Sequence, residues 1–197
     1  DASGKEIVVI AKRYGNVVGG SADLTGPNKT KIDDLDGVYS PENRKGRMIE
    51  FGIREFAMSA ISAGISLHGG LRPFCATFLV FSDYLRPSLR VASLMKQPVI
   101  YVFTHDSIYV GEDGPTHQPV ETLASLRAIP GVQVLRPGDA EETVEAWKMA
   151  YESKDHPVCL ALTRQKLAVY EKADKDWKKT IRTGAYVVQE GSAAPDI

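Results

Sequence analysis

Three observations predict an α/β fold with a doubly wound, mainly parallel sheet of about six strands and helices on both faces. Short apolar runs bounded by turn residues alternate with longer amphipathic runs about six times. The clearest short run, Gln97–Thr104, is apolar at odd and even positions alike, as a strand covered on both faces requires. Polar loops follow the strand-like runs, where open α/β sheets put their ligands.

Taken in order, Lys5–Tyr14 fits helix or strand by composition, and Gly15 favours a helix ending there. Val17–Ala22 reads as a short strand that runs into the loop Asp23–Asn28. The next twenty or so residues are polar and turn-rich, a length of loop that is often functional. Arg47–Glu50 reads as a short strand, Phe51-Gly52 as a turn, and Glu55–Leu67 as a helix rich in small residues. Arg72–Phe78 is the next strand, and Leu79–Met95 is apolar at helical spacing, with Pro87 as a kink. After strand Gln97–Thr104 and loop His105–Gln118 come helix Val120–Ala128, strand Val132–Leu135, helix Asp139–Ser153 and strand Pro157–Leu162. Asp139, followed by Glu141 and Glu142, has the chemistry of an N-cap. The polar stretch after Leu167 is expected to be a linker, and Thr183–Val188 the first strand of a further domain. The expected organisation is a domain over 1–168, a linker over 169–182 and the start of a truncated domain over 183–197. Asp1 in place of Met, and an end at Ile197 where an apolar run starts, suggest a piece of a longer polypeptide.

The chain has 197 residues, 43% hydrophobic and 25% charged, with a net charge of -1. That balance gives no electrostatic reason to expect nucleic acid or an anionic membrane as partner. No run is long enough for a membrane span and no signal peptide is evident. Cys75 and Cys159 sit in apolar runs and are expected as buried free thiols of a cytoplasmic protein.

Candidate chemistry collects at the expected carboxyl ends of strands: Asp23, Glu55, Phe78, His105 with Asp113 and His117, and Arg164. Glu55 alone reads as a first-turn acid complementing a helix dipole. Phe78, Phe81 and Tyr84 recur every three residues, so they are core side chains or the wall for a flat heterocycle. The loop His105–Gln118 combines two histidines, three acids and hydroxyl side chains. Its readings are a solvated loop, a metal site, or a site for polyhydroxylated or phosphorylated substrates. The spacing fits neither zinc nor calcium. Arg164 suits a phosphate or carboxylate, or a surface ion pair. No Gly-x-Gly-x-x-Gly helix start, Walker loop or Gly-x-Ser-x-Gly elbow occurs.

Five segments together resemble transketolase: Gly19-Gly20-Ser21-Ala22-Asp23-Leu24-Thr25, Phe51-Gly52-Ile53-Arg54-Glu55, Thr77–Tyr84, His105–Gln118 and Leu162-Thr163-Arg164-Gln165. They come in that family's order and spacing, from about Gly19 to Leu167. The resemblance is to the family's central pyrimidine-binding domain. It implies the transfer of a two-carbon ketol unit from a ketose phosphate to an aldose phosphate in the pentose phosphate pathway. Thiamine diphosphate and a divalent metal, Mg2+ or Ca2+, would be the cofactors. Xylulose 5-phosphate, ribose 5-phosphate and erythrose 4-phosphate would be substrates, and the protein would be a homodimer.

By that resemblance Glu55 would hydrogen-bond N1′ of the aminopyrimidine and handle its proton. Phe81 would stack on the pyrimidine in a pocket formed with Phe78 and Tyr84, and Asp23 and Leu24 would approach the cofactor near the thiazolium. His105 and Arg164 would bind the substrate phosphate, Asp113 a hydroxyl beside the reacting carbonyl, and His117 would assist proton transfer at the reacting carbons. The family often has a serine phosphate contact where Pro27 stands here, so Asn28 or Thr30 is expected to replace it, or the contact is missing. The family's metal-binding Gly-Asp-Gly…Asn motif is not in this chain, so the metal and diphosphate are expected on another domain and the chain alone is expected to be inactive. The alternatives are a non-catalytic binding or assembly module, or one subunit of a split transketolase-like enzyme.

Overall fold

The computed structural model describes residues 2–188 and residue 191. Asp1, residues 189–190 and residues 192–197, which include the apolar C-terminal end noted above, lie outside the described residues. The chain opens with α1 (Ala2–Arg13), β1 (Val17–Ser21) and two four-residue helices, α2 (Thr25–Asn28) and α3 (Asp33–Asp36). Then follow α4 (Glu55–His68), β2 (Arg72–Phe78), a 3-10 turn at Leu79–Phe81 and α5 (Ser82–Leu94), with Pro87 inside the helix. β3 (Ile100–Thr104), α6 (Thr122–Arg127), β4 (Gln133–Leu135), α7 (Ala140–Glu152), β5 (Val158–Ala161) and the short α8 (Trp177–Thr180) complete it. The expected N-cap forms: the Asp139 carboxylate accepts from the Glu142 backbone N–H at 2.9 Å.

All strand pairs are parallel, in the order β1-β2-β3-β5-β4. Alternate side chains divide between two cores, as the period of two dictates. Phe74, Ala76, Ile100, Val102, Val158 and Leu160 pack under α1 and α7, around the buried Trp147. Cys75, Tyr101, Phe103 and Cys159 point the other way, under α4, α5 and α6. Burial pushes the Cys75 thiol up to about 12, so both free cysteines behave as small apolar core residues. Among the described residues no helix is long and apolar enough to cross a membrane.

Two expected strands are absent. Arg47–Glu50 is reduced to a parallel bridge between Met48 and Gly19. Gly19 N–H donates to the Arg47 carbonyl at 3.0 Å, and Ile49 N–H to the Gly19 carbonyl at 2.8 Å. The segment therefore follows the β1 edge for a single register step. Gly20 permits the approach, since a Cβ there would lie 2.0 Å from the Ile49 carbonyl oxygen. The other is Thr183–Val188, which pairs with no strand among the described residues. Residues 181–183 form a 3-10 turn instead, and the Tyr186 hydroxyl donates to Glu142 at 2.5 Å. The Tyr170 hydroxyl donates to the same carboxylate oxygen at 2.5 Å. Buried Lys172 pairs with Asp139, and with Glu141 at 2.9 Å, so the segment after β5 is clasped to the start of α7.

Candidate functional site

The carboxyl ends of β1, β2, β3 and β5 lie side by side, and the loops leaving them carry the sequence-predicted residues. β3 and β5 are neighbours, but the chain leaves β3 towards α6 and reaches β5 from α7, on opposite faces of the sheet. Neighbouring strands whose connections part in this way leave a crevice at their ends.

At β1 and β3 the chain turns sharply. Asp23 and His105 both adopt left-handed backbone, with φ of 61° and 58°. Non-glycine residues pay a steric penalty there, and such positions cluster at functional sites. Asp23 is exposed and Leu24 half-buried beside it, whereas His105 is 7% exposed. The His105 ring stacks on Phe78 with centroids 3.7 Å apart. Phe81 lies parallel to Phe78 at 6.0 Å, and His117 meets both edge-on, at 5.2 Å from Phe81 and 6.1 Å from Phe78. Two strand ends and the His105–Gln118 loop thus bring two phenylalanines and two histidines into one group. The aromatic triplet is graded outward: Phe78 buried, Phe81 half-buried and Tyr84 exposed.

A cleft of ≈ 950 Å³ opens beside this group. Its wall includes Asn28, Phe78, Thr104, His105, Asp113 and Arg164. Gln165 donates to the Tyr109 carbonyl, tying the loop after β5 to the loop after β3. Gly111 lies against the Arg164 guanidinium: its φ is 91°, and a Cβ there would come within 3.2 Å of that group. Glycine is the residue that meets both conditions. Burial holds the His105 imidazole below its ordinary range. Asp113 and Asp106 oppose that effect, while Arg164 and His117 reinforce it.

The residues that orient His105 escape a motif search. Its Nδ1 lies 2.8 Å from the Thr104 hydroxyl, which donates to Asn28 Oδ1 at 2.6 Å. The Asn28 amide in turn donates to Ser21, which is hydrogen-bonded to Thr30 at 2.6 Å. Asn28 and Thr30, expected as replacements for a phosphate contact at Pro27, are thus engaged within the protein and are 2% and 1% exposed. Pro27 itself lines the cleft. The signal available in the sequence was composition alone: four short polar residues in otherwise apolar strand-end stretches.

Glu55 stands apart from the cleft, at the first position of α4, after a turn in which Gly52 has φ of 66°. It is 8% exposed, yet no side-chain hydrogen bond or ion pair engages its carboxylate among the described residues. Glu55 is not among the side chains whose polar atoms are fully buried without a partner, so its carboxyl oxygens reach the surface at the start of α4, where a ligand can meet them. The side chains a flat, nitrogen-bearing ring would need, a carboxyl and aromatic faces, are present as Glu55, Phe78 and Phe81. Among the described residues no group of three or more His, Cys, Asp or Glu side chains is placed to hold a metal ion. From α4, Phe56, Ala60, Ile61, Gly64 and Leu67 face outward as an exposed, mostly apolar stripe of small and large residues.

The family described as transketolase, pyrimidine binding domain, matches residues 1–169. The transketolase of Treponema pallidum is 58% identical over 197 residues, covering 100% of this chain and 30% of that protein. The transketolase of Leishmania mexicana superposes with a TM-score of 0.91 at 43% identity, covering 98% of this chain and 28% of that one. A transketolase complex with sedoheptulose 7-phosphate from Pichia stipitis gives 0.91 at 40% identity, covering 98% and 29%. A split-gene transketolase, solved as an inactive β4 tetramer, gives 0.69 at 29% identity, covering 88% and 53%. The chain thus spans about 30% of the length of the curated relative it matches over its full extent. With the family match over residues 1–169 and a backbone that superposes on solved transketolases, the chain belongs to the transketolase pyrimidine-binding-domain family.

Proposed function

We propose that this chain supplies the aminopyrimidine-binding and substrate-binding half of a transketolase active site. The complete protein would move a two-carbon ketol unit from a ketose phosphate to an aldose phosphate, in the cytoplasm and within the pentose phosphate pathway. The observation that carries this reading is the gathering of Phe78, Phe81, His105 and His117 at the strand ends, together with a Glu55 carboxyl that has no partner among the described residues. When bound, thiamine diphosphate supplies a nucleophilic carbon that accepts and releases the ketol unit. Glu55 holds and exchanges a proton at the N1′ position of the pyrimidine. Phe81 stacks on that ring, Phe78 and Tyr84 bound it, and Asp23 and Leu24 lie towards the thiazolium. His117 moves a proton at the reacting carbons, and Asp113 accepts from a substrate hydroxyl.

His105 and Arg164 take the phosphate end of the substrate, and Asn28 acts there through the cleft wall. The substrates of this reading are xylulose 5-phosphate, ribose 5-phosphate and erythrose 4-phosphate. The Pichia stipitis relative, solved with sedoheptulose 7-phosphate, supports a sugar phosphate. The diphosphate and its metal, Mg2+ or Ca2+, belong to a separate domain, and the apolar stripe on α4 belongs to a homodimer contact. In this reading residues 1–168 form the functional domain, 169–182 lead out of it, and 183–197 begin another.

A second reading makes the chain part of one subunit of a split enzyme. The inactive tetramer of the split-gene relative supports it. In both readings the chain alone is inactive, which separates them from a non-catalytic module. The test is an assay with xylulose 5-phosphate and ribose 5-phosphate, with and without a folded diphosphate-binding chain from a relative. Thiamine-diphosphate-dependent turnover is expected only in the mixture. Turnover by the chain alone overturns the division of the site, and an inactive but assembled mixture supports the non-catalytic module.

A further inference from the structure

His105 is held by more than its stacking on Phe78. Ser21, Asn28, Thr30, Thr104 and His105 come from the ends of β1 and β3 and from α2 and the loop after it, and each is at most 8% exposed. Their hydrogen bonds run as a chain: Thr30 to Ser21 at 2.6 Å, Asn28 Nδ2 to Ser21 Oγ at 3.3 Å, Thr104 Oγ1 to Asn28 Oδ1 at 2.6 Å, and Thr104 Oγ1 to His105 Nδ1 at 2.8 Å. None of the five is among the buried side chains with a partnerless polar atom.

The polarity of this chain follows from proton counting. An amide oxygen carries no proton, so Thr104 must donate its single hydroxyl proton to Asn28 Oδ1. Towards His105 the same hydroxyl then has only a lone pair, and Nδ1 must carry the proton between them. A neutral imidazole has one N–H, so Nε2, on the opposite edge of the ring, is left as an acceptor. Phe78 packed on the ring face and the left-handed backbone of His105 hold the ring in this setting. We propose that Asn28 and Thr104 are positioning residues that fix His105 as the Nδ1–H tautomer, so that neutral His105 accepts from a hydroxyl and binds an anion only by taking up one proton.

The surroundings fit a ring poised between these states. Burial, Arg164 and His117 favour the neutral ring, while Asp113 and Asp106 favour the cation. An anion entering the cleft beside Arg164 adds to the second group. The anion half of the inference rests on the reading of His105 and Arg164 as the phosphate end of the site, whereas the tautomer half rests on the hydrogen bonds alone.

The experiment is ring nitrogen-15 NMR of the histidines in the 197-residue chain, with no thiamine or second chain needed. His105 signals are assigned by their loss in His105→Asn. At mildly alkaline pH the wild type is expected to show a protonated Nδ1 and a bare Nε2. Thr104→Ser should keep that pattern, and Thr104→Val should move the proton to Nε2. An Nε2–H ring in the wild type, as a reversed Asn28 amide would give, overturns the proposal whatever the variants do. Sulfate, which does not titrate near neutrality, is the anion probe. It should raise the pH at which the wild-type ring protonates, and bind about tenfold more weakly per pH unit above that point. Sulfate that does not bind, or that binds without moving the ring's titration, overturns the anion half. Neither result bears on whether the complete protein has transketolase activity, which the reconstitution assay reads separately.

Discussion

The two ends of the site are built on opposite terms. At the ends of β3 and β5 most polar side chains are tied within the protein: His105 is fastened through Thr104 and Asn28, Gln165 bridges to Tyr109, and Arg136 donates to Asp106 Oδ2 at 2.7 Å, although Asp106 Oδ1 is buried without a partner. At the start of α4, Glu55 is equally buried yet has no partner among the described residues, and the helix that carries it turns an apolar stripe outward. An exposed apolar stripe is a liability to a lone chain. A ligand at the Glu55 carboxyl and a second protein surface on the stripe would occupy this end. One end of the site is therefore largely tied within the chain, and the other is left open to something else.

The largest effect should come from the unfinished end. Glu55→Gln keeps the size and burial of the side chain but removes its acid–base capacity. In the complete enzyme the turnover number should fall by about 10²–10⁴-fold, the usual contribution of a positioned proton-transfer group. The melting temperature of the chain should not fall, because no partner is lost. Near wild-type turnover at saturating cofactor removes Glu55 from this role, and a large loss of stability shows that its carboxyl has a structural partner after all.

The contrast also marks what a sequence can reveal. The strand–helix alternation was legible because a doubly covered strand favours apolar side chains on both faces, as Ile100, Val102 and Phe103 illustrate. His105 and Arg164 were legible as loop positions after strands, Glu55 as the first residue of a helix, and the three in combination through their order and spacing. The bond between Thr104 and Asn28 was not, because the two lie 76 positions apart and meet only through the strand order. Nor was the fate of two short apolar runs. Met48 is buried and Val187 exposed, but neither run has enough neighbouring edge to form a strand ladder. Side-chain alternation reports burial, whereas a strand also needs a partner, and the partner is a property of the whole fold.

A smaller effect is expected on the α4 stripe. Ile61 is 49% exposed. Ile61→Glu should therefore change the stability of the chain by less than about 0.5 kcal/mol, as surface substitutions do. If the stripe is a contact between copies, the same change buries an unpaired charge and should weaken self-association by roughly tenfold or more, read by sedimentation over a range of concentrations. A wild-type chain that stays monomeric at high concentration removes the homodimer from the comparison and leaves the stripe to a different partner.

The smallest effect concerns the finished end and depends on sign. Burial lowers the affinity of His105 for a proton in the folded chain relative to the unfolded one. Above the ordinary imidazole range both states are neutral and the packing of His105 contributes in full. As pH falls through that range the unfolded chain takes up its proton first, so stability declines, and the decline ends below the folded-state value. One group can contribute at most about 1.4 kcal/mol per pH unit in this window. The chain has three other histidines, so the measurement is a difference between wild type and His105→Asn. Asparagine suits the test because it tolerates the left-handed backbone at this position. The gap in melting temperature between the two should narrow on acidification. A gap that widens would mean that Asp113 and Asp106 outweigh burial, Arg164 and His117. His105 would then be held as a cation before any ligand arrives, and the cleft would be prepared for an anion without the proton uptake that its hydrogen-bond chain demands.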